Sequence, residues 1–241
     1  MASRGVRRAR HEEEEESYFI SMADMMVGLL FVFIILLLYF ALQFRQTTHD
    51  IASADESRAA ILARLDQALK AQGLRVSIDV DQGVLRLPED VLFDTGEADL
   101  TPRGRQAVAI LGGAMTRVLP CYAWPRPARG CPPTRQHLDA IFIEGHTDSD
   151  PMAGQGAIRD NLDLSVMRAA NTYRALLATT PGLGLLRNRP PGRETPQPIL
   201  SVSGYGADRP VDPGGTPQAK QRNRRIDLRF LMAAPREPAR P

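Results

Sequence analysis

Twenty consecutive residues, Met25 to Phe44, carry no formal charge and are almost all apolar, the length of α-helix needed to cross roughly 30 Å of hydrocarbon. That run excludes a purely soluble protein. No second run of comparable length follows, so a multi-pass channel built from this chain alone is excluded too. A cleaved secretory signal has a shorter apolar core, about 7 to 15 residues, that ends at small residues. Here the run leads into Gln43-Phe44-Arg45-Gln46, and a retained anchor is expected over residues 17–44. Arg4, Arg7, Arg8 and Arg10 precede it, against Arg45 and Arg58 in the stretch just beyond, so the N-terminus is expected in the cytoplasm and everything after the helix outside it. The Glu12 to Glu16 run weakens that reading little, because acidic residues contribute little to orientation. Residues 1–16 are of low complexity and are expected to be disordered.

A carboxylate, Asp24, stands one residue before the uncharged run. If the helix enters the bilayer near Tyr18, Asp24 lies about 9 Å inside, where a charge costs up to about 3 kcal/mol. Tyr18, Phe19 and Ile20 form an aromatic and apolar belt that supports this entry point. The plainer alternative is a span from Met25 to Phe44 with Asp24 at the interface. Desolvation raises a carboxylate's pKa, which suits Asp24 to taking up and releasing a proton. One helix cannot form a conduit alone, so a homodimeric pair of such helices inside a multi-helix partner is expected. Gly28, one turn on, allows close helix approach on that face.

Beyond the helix the composition is that of an ordinary globular domain, consistent with 43% apolar and 24% charged residues over the 241-residue chain. Net charge is +2, and of 30 basic residues only Lys70 and Lys220 are lysine, so nothing indicates a nucleic-acid partner. Apolar residues at Ile61, Leu62, Leu65 and Leu69 have helical spacing and Gly73 is a helix stop, so residues 45–73 read as a stiff helical linker. Alternation from Leu74 to Val80, a turn at Asp81-Gln82-Gly83 and a return through Leu87 predict a hairpin. Thr101 and Pro102 open a helix running to about Leu119. A strand over 138–144, a helix over 162–178 and strands over 199–203 and 225–232 complete a β-β-α-β-α-β-β order. This is an α/β domain with one mixed sheet over residues 74–232, followed by a disordered tail, 233–241. The two cysteines, Cys121 and Cys131, flank a Pro- and Gly-rich loop. In an oxidising compartment their disulfide would contribute about 2–3 kcal/mol; the alternative is two free thiols. No His or further Cys stands at metal-ligand spacing from them.

Gly145-His146-Thr147-Asp148, then Asn161 through Leu164-Ser165 to Arg168-Ala169, then Gly204-Tyr205-Gly206 and Asn223-Arg224-Arg225 resemble the OmpA/MotB peptidoglycan-binding domain. Phe93 to Leu100 resembles the segment before that family's first helix. The resemblance implies recognition of diaminopimelate in bacterial wall peptide, which offers an ammonium and a carboxylate on one carbon. It places the ammonium on Asp148 and the carboxylate on Arg168, with Thr147 and Asn161 nearby and Arg224 in support; for Asn161 and Arg224 a structural role is the alternative. His146 reads as an orienting or packing residue rather than a metal ligand. The long loop from 148 to 161, Asp160 where the family often has Tyr, the cysteine loop and the 181–198 loop depart from the pattern. No nucleophile and base pair, metal cluster or cofactor site emerges, so an enzyme is not expected.

The union of this domain with a single span bearing an acidic residue resembles the B subunit of MotA/MotB-type ion-driven stators. Phe19 through Phe33 resembles most closely the ZorB-type component of Zorya anti-phage defence systems. That likeness implies an inner-membrane, single-pass protein with a periplasmic domain, a MotA/ZorA-like pentameric partner, and Asp24 as carrier of H⁺, with Na⁺ the alternative. A flagellar or gliding stator and a passive wall anchor are the competing readings.

Overall fold

The computed structural model describes residues 3–234 except 128, 135, 153, 155, 157 and 191–194, and no side chain of 3–17 or 20. The tail expected at 233–241 lies almost wholly outside the described residues. A first helix, α1, spans Ser3–Lys70; its residues to 50 form one unit and those from 51 belong to a second. In the first unit the backbone is helical from Ser3, where no structure was expected before residue 17. Arg, Ala and Glu are good helix formers. Every residue from Ser21 to His49 is exposed, including Phe31, Leu36 and Phe40. A helix apolar on all sides has no single face to bury and belongs in a surrounding apolar medium. Among the described residues it is the one helix long and apolar enough to cross a membrane.

The second unit corrects the linker boundary. Ile61, Leu62, Leu65 and Leu69 are fully buried and share one core with Leu85, Leu111, Met115, Ile143, Leu228 and Phe230. The stripe that reads as a connector is therefore the packing face of a domain helix, and the domain begins at residue 51 rather than 74. Gln136 donates to Ser53 Oγ at 2.7 Å and Arg58 to the Asp81 carbonyl at 3.2 Å, fixing the helix at two further points.

The sheet holds five strands: β1 (Ser77–Asp79), β2 (Val84–Pro88), β3 (Leu138–His146), β4 (Leu200–Gly204) and β5 (Arg225–Met232). Their order is β1-β2-β5-β3-β4, with β3 and β4 parallel and the other pairs antiparallel. The predicted mixed sheet is present. The first strand is shorter than its alternation suggested: it is an edge strand, and Val80, just beyond it, already lies in the turn and faces solvent. Helix α3 (Pro102–Val118) starts as predicted, Thr101 Oγ1 accepting from Gly104 N at 2.9 Å. Helix α4 (Asn161–Thr179) is capped by Asp160, which accepts from Asp163 N at 2.9 Å. Two short helices, α2 (Glu89–Leu92) and α5 (Pro217–Asn223), lie outside the predicted order.

Two glycines set the seat of α4. Gly145 and Gly204 are register partners on β3 and β4. A Cβ at Gly145 would fall 1.9 Å from the Ser165 carbonyl oxygen, and one at Gly204 would fall 2.6 Å from Val166 N. Only bare backbone lets α4 lie this close, and Ser165 Oγ accepts from Gly206 N at 2.9 Å to hold it there. The Cys121–Cys131 disulfide is formed, with Cα atoms 5.2 Å apart. Inside its loop, Trp124 exchanges backbone hydrogen bonds with Arg187 at 2.9 and 2.8 Å, so the two additional loops brace each other.

Candidate functional site

Four elements bring their charges to one point. Asp148 follows β3, Arg168 lies two turns into α4, Arg224 stands between α5 and β5, and Glu89 opens α2. Arg224 donates through Nη1 to Asp148 Oδ2 at 2.7 Å and pairs through Nε with Glu89 Oε2 at 2.5 Å. The other Glu89 oxygen pairs with Arg168 Nη2. Asp148, Arg224, Glu89 and Arg168 thus form an unbroken chain of alternating charge.

Burial divides the two bases. Arg168 is 2% exposed. Its Nε donates to the Glu97 carbonyl at 2.7 Å, its Nη2 to the Asp94 carbonyl at 3.3 Å, and its guanidinium lies 5.1 Å from the Phe93 ring centre. Arg168 therefore fastens the 93–100 segment to α4, whereas the Arg224 side chain is 32% exposed and forms the open end of the chain. Burial dominates at Arg168 and lowers its pKa despite Glu89. At Arg224 burial also opposes the cation, but Asp148 and Glu89 outweigh it and raise the pKa. Both remain cations at any physiological pH.

The remaining predicted residues build the loop around this chain. Thr147 is buried, its N–H donating to the Gly206 carbonyl at 2.9 Å and its hydroxyl to the Asp148 carbonyl at 3.1 Å. Asn161 Nδ2 donates to the Asp150 and Asp148 carbonyls at 2.8 and 3.3 Å, tying the loop to the start of α4. Asp148 Oδ1 accepts from Asp150 N at 3.1 Å. Glu89 was not anticipated. Its only signal is one of charge balance: a buried Arg168 beside Arg224 requires a second carboxylate besides Asp148.

A second cluster occupies the same sheet. His146 is stacked on Tyr205, ring centres 5.4 Å apart, with Nε2 3.8 Å from Glu144 Oε2 and 3.7 Å from Asp227 Oδ2. These three groups lie close enough together to surround a metal ion. Glu144, however, is already held by Arg229 through two 2.9 Å hydrogen bonds, and Asp227 by Arg225 at 3.0 Å and Arg86 at 3.4 Å. A divalent ion would add uncompensated positive charge to a buried, balanced network. His146 packs on Tyr205 within this network. Asp24 and Gly28 lie exposed on α1 in the first unit, and a Cβ at Gly28 would meet nothing within 4 Å.

Residues 132–224 match the OmpA family. Motility protein B of Bacillus subtilis is 33% identical over 91 residues, which is 38% of this chain and 30% of that protein. Zorya protein ZorB of Escherichia coli O139:H28 is 24% identical over 177 residues, 72% of this chain and 66% of that protein. The chain therefore spans only part of these curated relatives. A solved MotB-like protein from Desulfovibrio vulgaris superposes with a TM-score of 0.54 at 22% identity, covering 74% of this chain and 96% of that one. The domain fold is shared with that protein.

Proposed function

We propose that this MotB/OmpA-like chain is the wall-anchored subunit of a proton-driven inner-membrane motor, acting in a Zorya-type anti-phage system. The observation that carries the wall-binding half is the Asp148–Arg224–Glu89–Arg168 chain, open to solvent at Arg224. A zwitterionic carbon bearing an ammonium and a carboxylate can replace the Asp148–Arg224 pair group for group. Its ammonium takes Asp148, and its carboxylate takes the planar fork of Arg224. Arg168, buried behind them, holds Glu89 and the 93–100 segment in place. In this reading the ligand is the diaminopimelate of the wall peptide, and the contact to its carboxylate moves from Arg168 to Arg224.

The motor half rests on Asp24 at the head of an apolar helix. A homodimer would place two such helices inside a MotA/ZorA-like pentamer, with the N-terminus cytoplasmic and the domain periplasmic. Loss of the Asp24 charge on proton uptake would bias rotation of the partner about the wall-fixed shaft. The similarity to ZorB extends over 72% of this chain, against 38% for Motility protein B, which favours defence over motility.

Phage plating on cells carrying the complete gene neighbourhood tests the motor half. Asp24→Asn is expected to abolish protection while leaving the protein in the membrane; undiminished protection would leave only the passive anchor. Sedimentation with purified peptidoglycan tests the other half. Asp148→Ala is expected to lose retention, and retention equal to wild type would remove the assignment.

A further inference from the structure

A cleft of about 350 Å³ opens beside Arg224. Arg75, Arg86, Arg222, Arg224 and Arg225 line it, and no carboxylate does. The acids that pair with these arginines, Asp79, Asp148, Asp212, Asp227 and Glu89, are not part of its lining. Arg75 is exposed and has no hydrogen bond or ion pair among the described residues. The Arg222 side chain is 58% exposed and pairs with Asp212 at the surface, a pairing worth little in water that an incoming anion can replace. Val76, Pro88 and Val211 add apolar wall between the guanidinium groups. Such a lining accepts an oxyanion carried on a short aliphatic stem.

We infer that this cleft is a second anion subsite, which takes a further carboxylate of the same wall peptide whose diamino acid engages Asp148 and Arg224. The inference rests on the wall-binding reading and extends it. Arg224 belongs to both sites, so a ligand on the charge chain presents its neighbouring residue to the cleft. In a stem peptide that neighbour is a glutamate joined through its γ-carboxyl, which leaves the α-carboxylate free. A terminal alanine carboxylate on the other side of the diamino acid has the same chemistry. A planar guanidinium reads either one by a two-point hydrogen bond.

Calorimetry on the full chain in detergent separates these cases. The probes are meso-diaminopimelate, the tripeptide Ala-γ-Glu-diaminopimelate, its α-amidated form, and the tetrapeptide ending in alanine. Wild type is expected to bind the tripeptide about tenfold more tightly than the free diamino acid. Arg75→Gln with Arg222→Gln is expected to remove that gain and leave diaminopimelate binding unchanged. A gain lost on amidation assigns the cleft to the glutamate carboxylate. A gain that appears only with the tetrapeptide assigns it to the terminal one. The subsite is overturned if neither peptide exceeds the diamino acid, or if the gain persists in the double variant. If diaminopimelate fails to bind wild type, or binds Asp148→Ala equally well, the wall-binding reading fails first and this inference with it.

Discussion

Between Ser21 and Phe44 the first helix exposes every residue and carries one carboxylate, Asp24, which has no ion pair among the described residues. In the domain, Glu89, Glu144, Asp148 and Asp227 are all buried, and each faces at least one arginine. The two regions handle the same functional group in opposite ways. A carboxylate that is buried and paired fixes distances between chain elements, as Glu89 does between α4 and the start of β5. A carboxylate set on an apolar helix without a cation fixes nothing within its own chain. Under the proposed function, its partner is another molecule or an ion.

The sharpest test of this contrast sets Asp24→Asn against Arg168→Ala. The first is expected to abolish function completely while leaving domain unfolding unchanged, since Asp24 belongs to the first unit and the domain to the second. The second removes a buried cation, leaves Glu89 with Arg224 alone and takes the donor from the Glu97 and Asp94 carbonyls, at about 3–5 kcal/mol of domain stability. Denaturant titration of the full chain, followed by fluorescence of Trp124, its only tryptophan, measures both. A domain destabilised by Asp24→Asn, or an Arg168→Ala variant within 1 kcal/mol of wild type, would break the contrast.

The same two regions meet within one helix, and its second half belongs with the domain. Leu65 is fully buried in the core. Leu65→Ala is expected to lower domain stability by about 3 kcal/mol, the usual range for a buried leucine being about 2–5. A free connector would lose almost nothing. Equal unfolding midpoints for this variant and wild type would restore the linker reading of 45–73.

That boundary also shows where sequence legibility ends. The apolar positions 61, 62, 65 and 69 declare a helix, but periodicity does not say whether the face they form meets the domain or a second chain. Thr101 with Pro102 declares the start of α3, because capping and proline act within four residues. From three of the motifs, Asp148, Arg168 and Arg224 gather at one point. The division of labour inside that point was not legible, because it depends on burial. Arg168 and Arg224 are the same residue type, and only the seating of α4 on Gly145 and Gly204 puts one of them at 2% exposure. Glu89 had no local pattern to mark it; its role comes from contacts more than fifty residues away in sequence.

The smallest expected effect concerns the second cluster and distinguishes a paired carboxylate from a merely buried one. Burial alone would raise the Glu144 pKa, but the nearby His146 imidazole and the hydrogen bonds and charge of Arg229 outweigh it and hold the pKa below the ordinary glutamate value. A carboxylate whose pKa is lower folded than unfolded stabilises the fold above the unfolded value, and that contribution disappears as pH falls through the folded one. Within this acid window the unfolded chain binds the extra proton, so stability rises with pH. Glu144→Gln removes the titration and keeps the shape. It is expected to flatten the acid limb of the stability curve by up to one proton, about 1.4 kcal/mol per pH unit, with little change in slope near neutrality. If wild type and Glu144→Gln show the same acid slope, Glu144 is held by packing alone. The pairing rule that separates the domain from the Asp24 helix would then not extend to this second cluster.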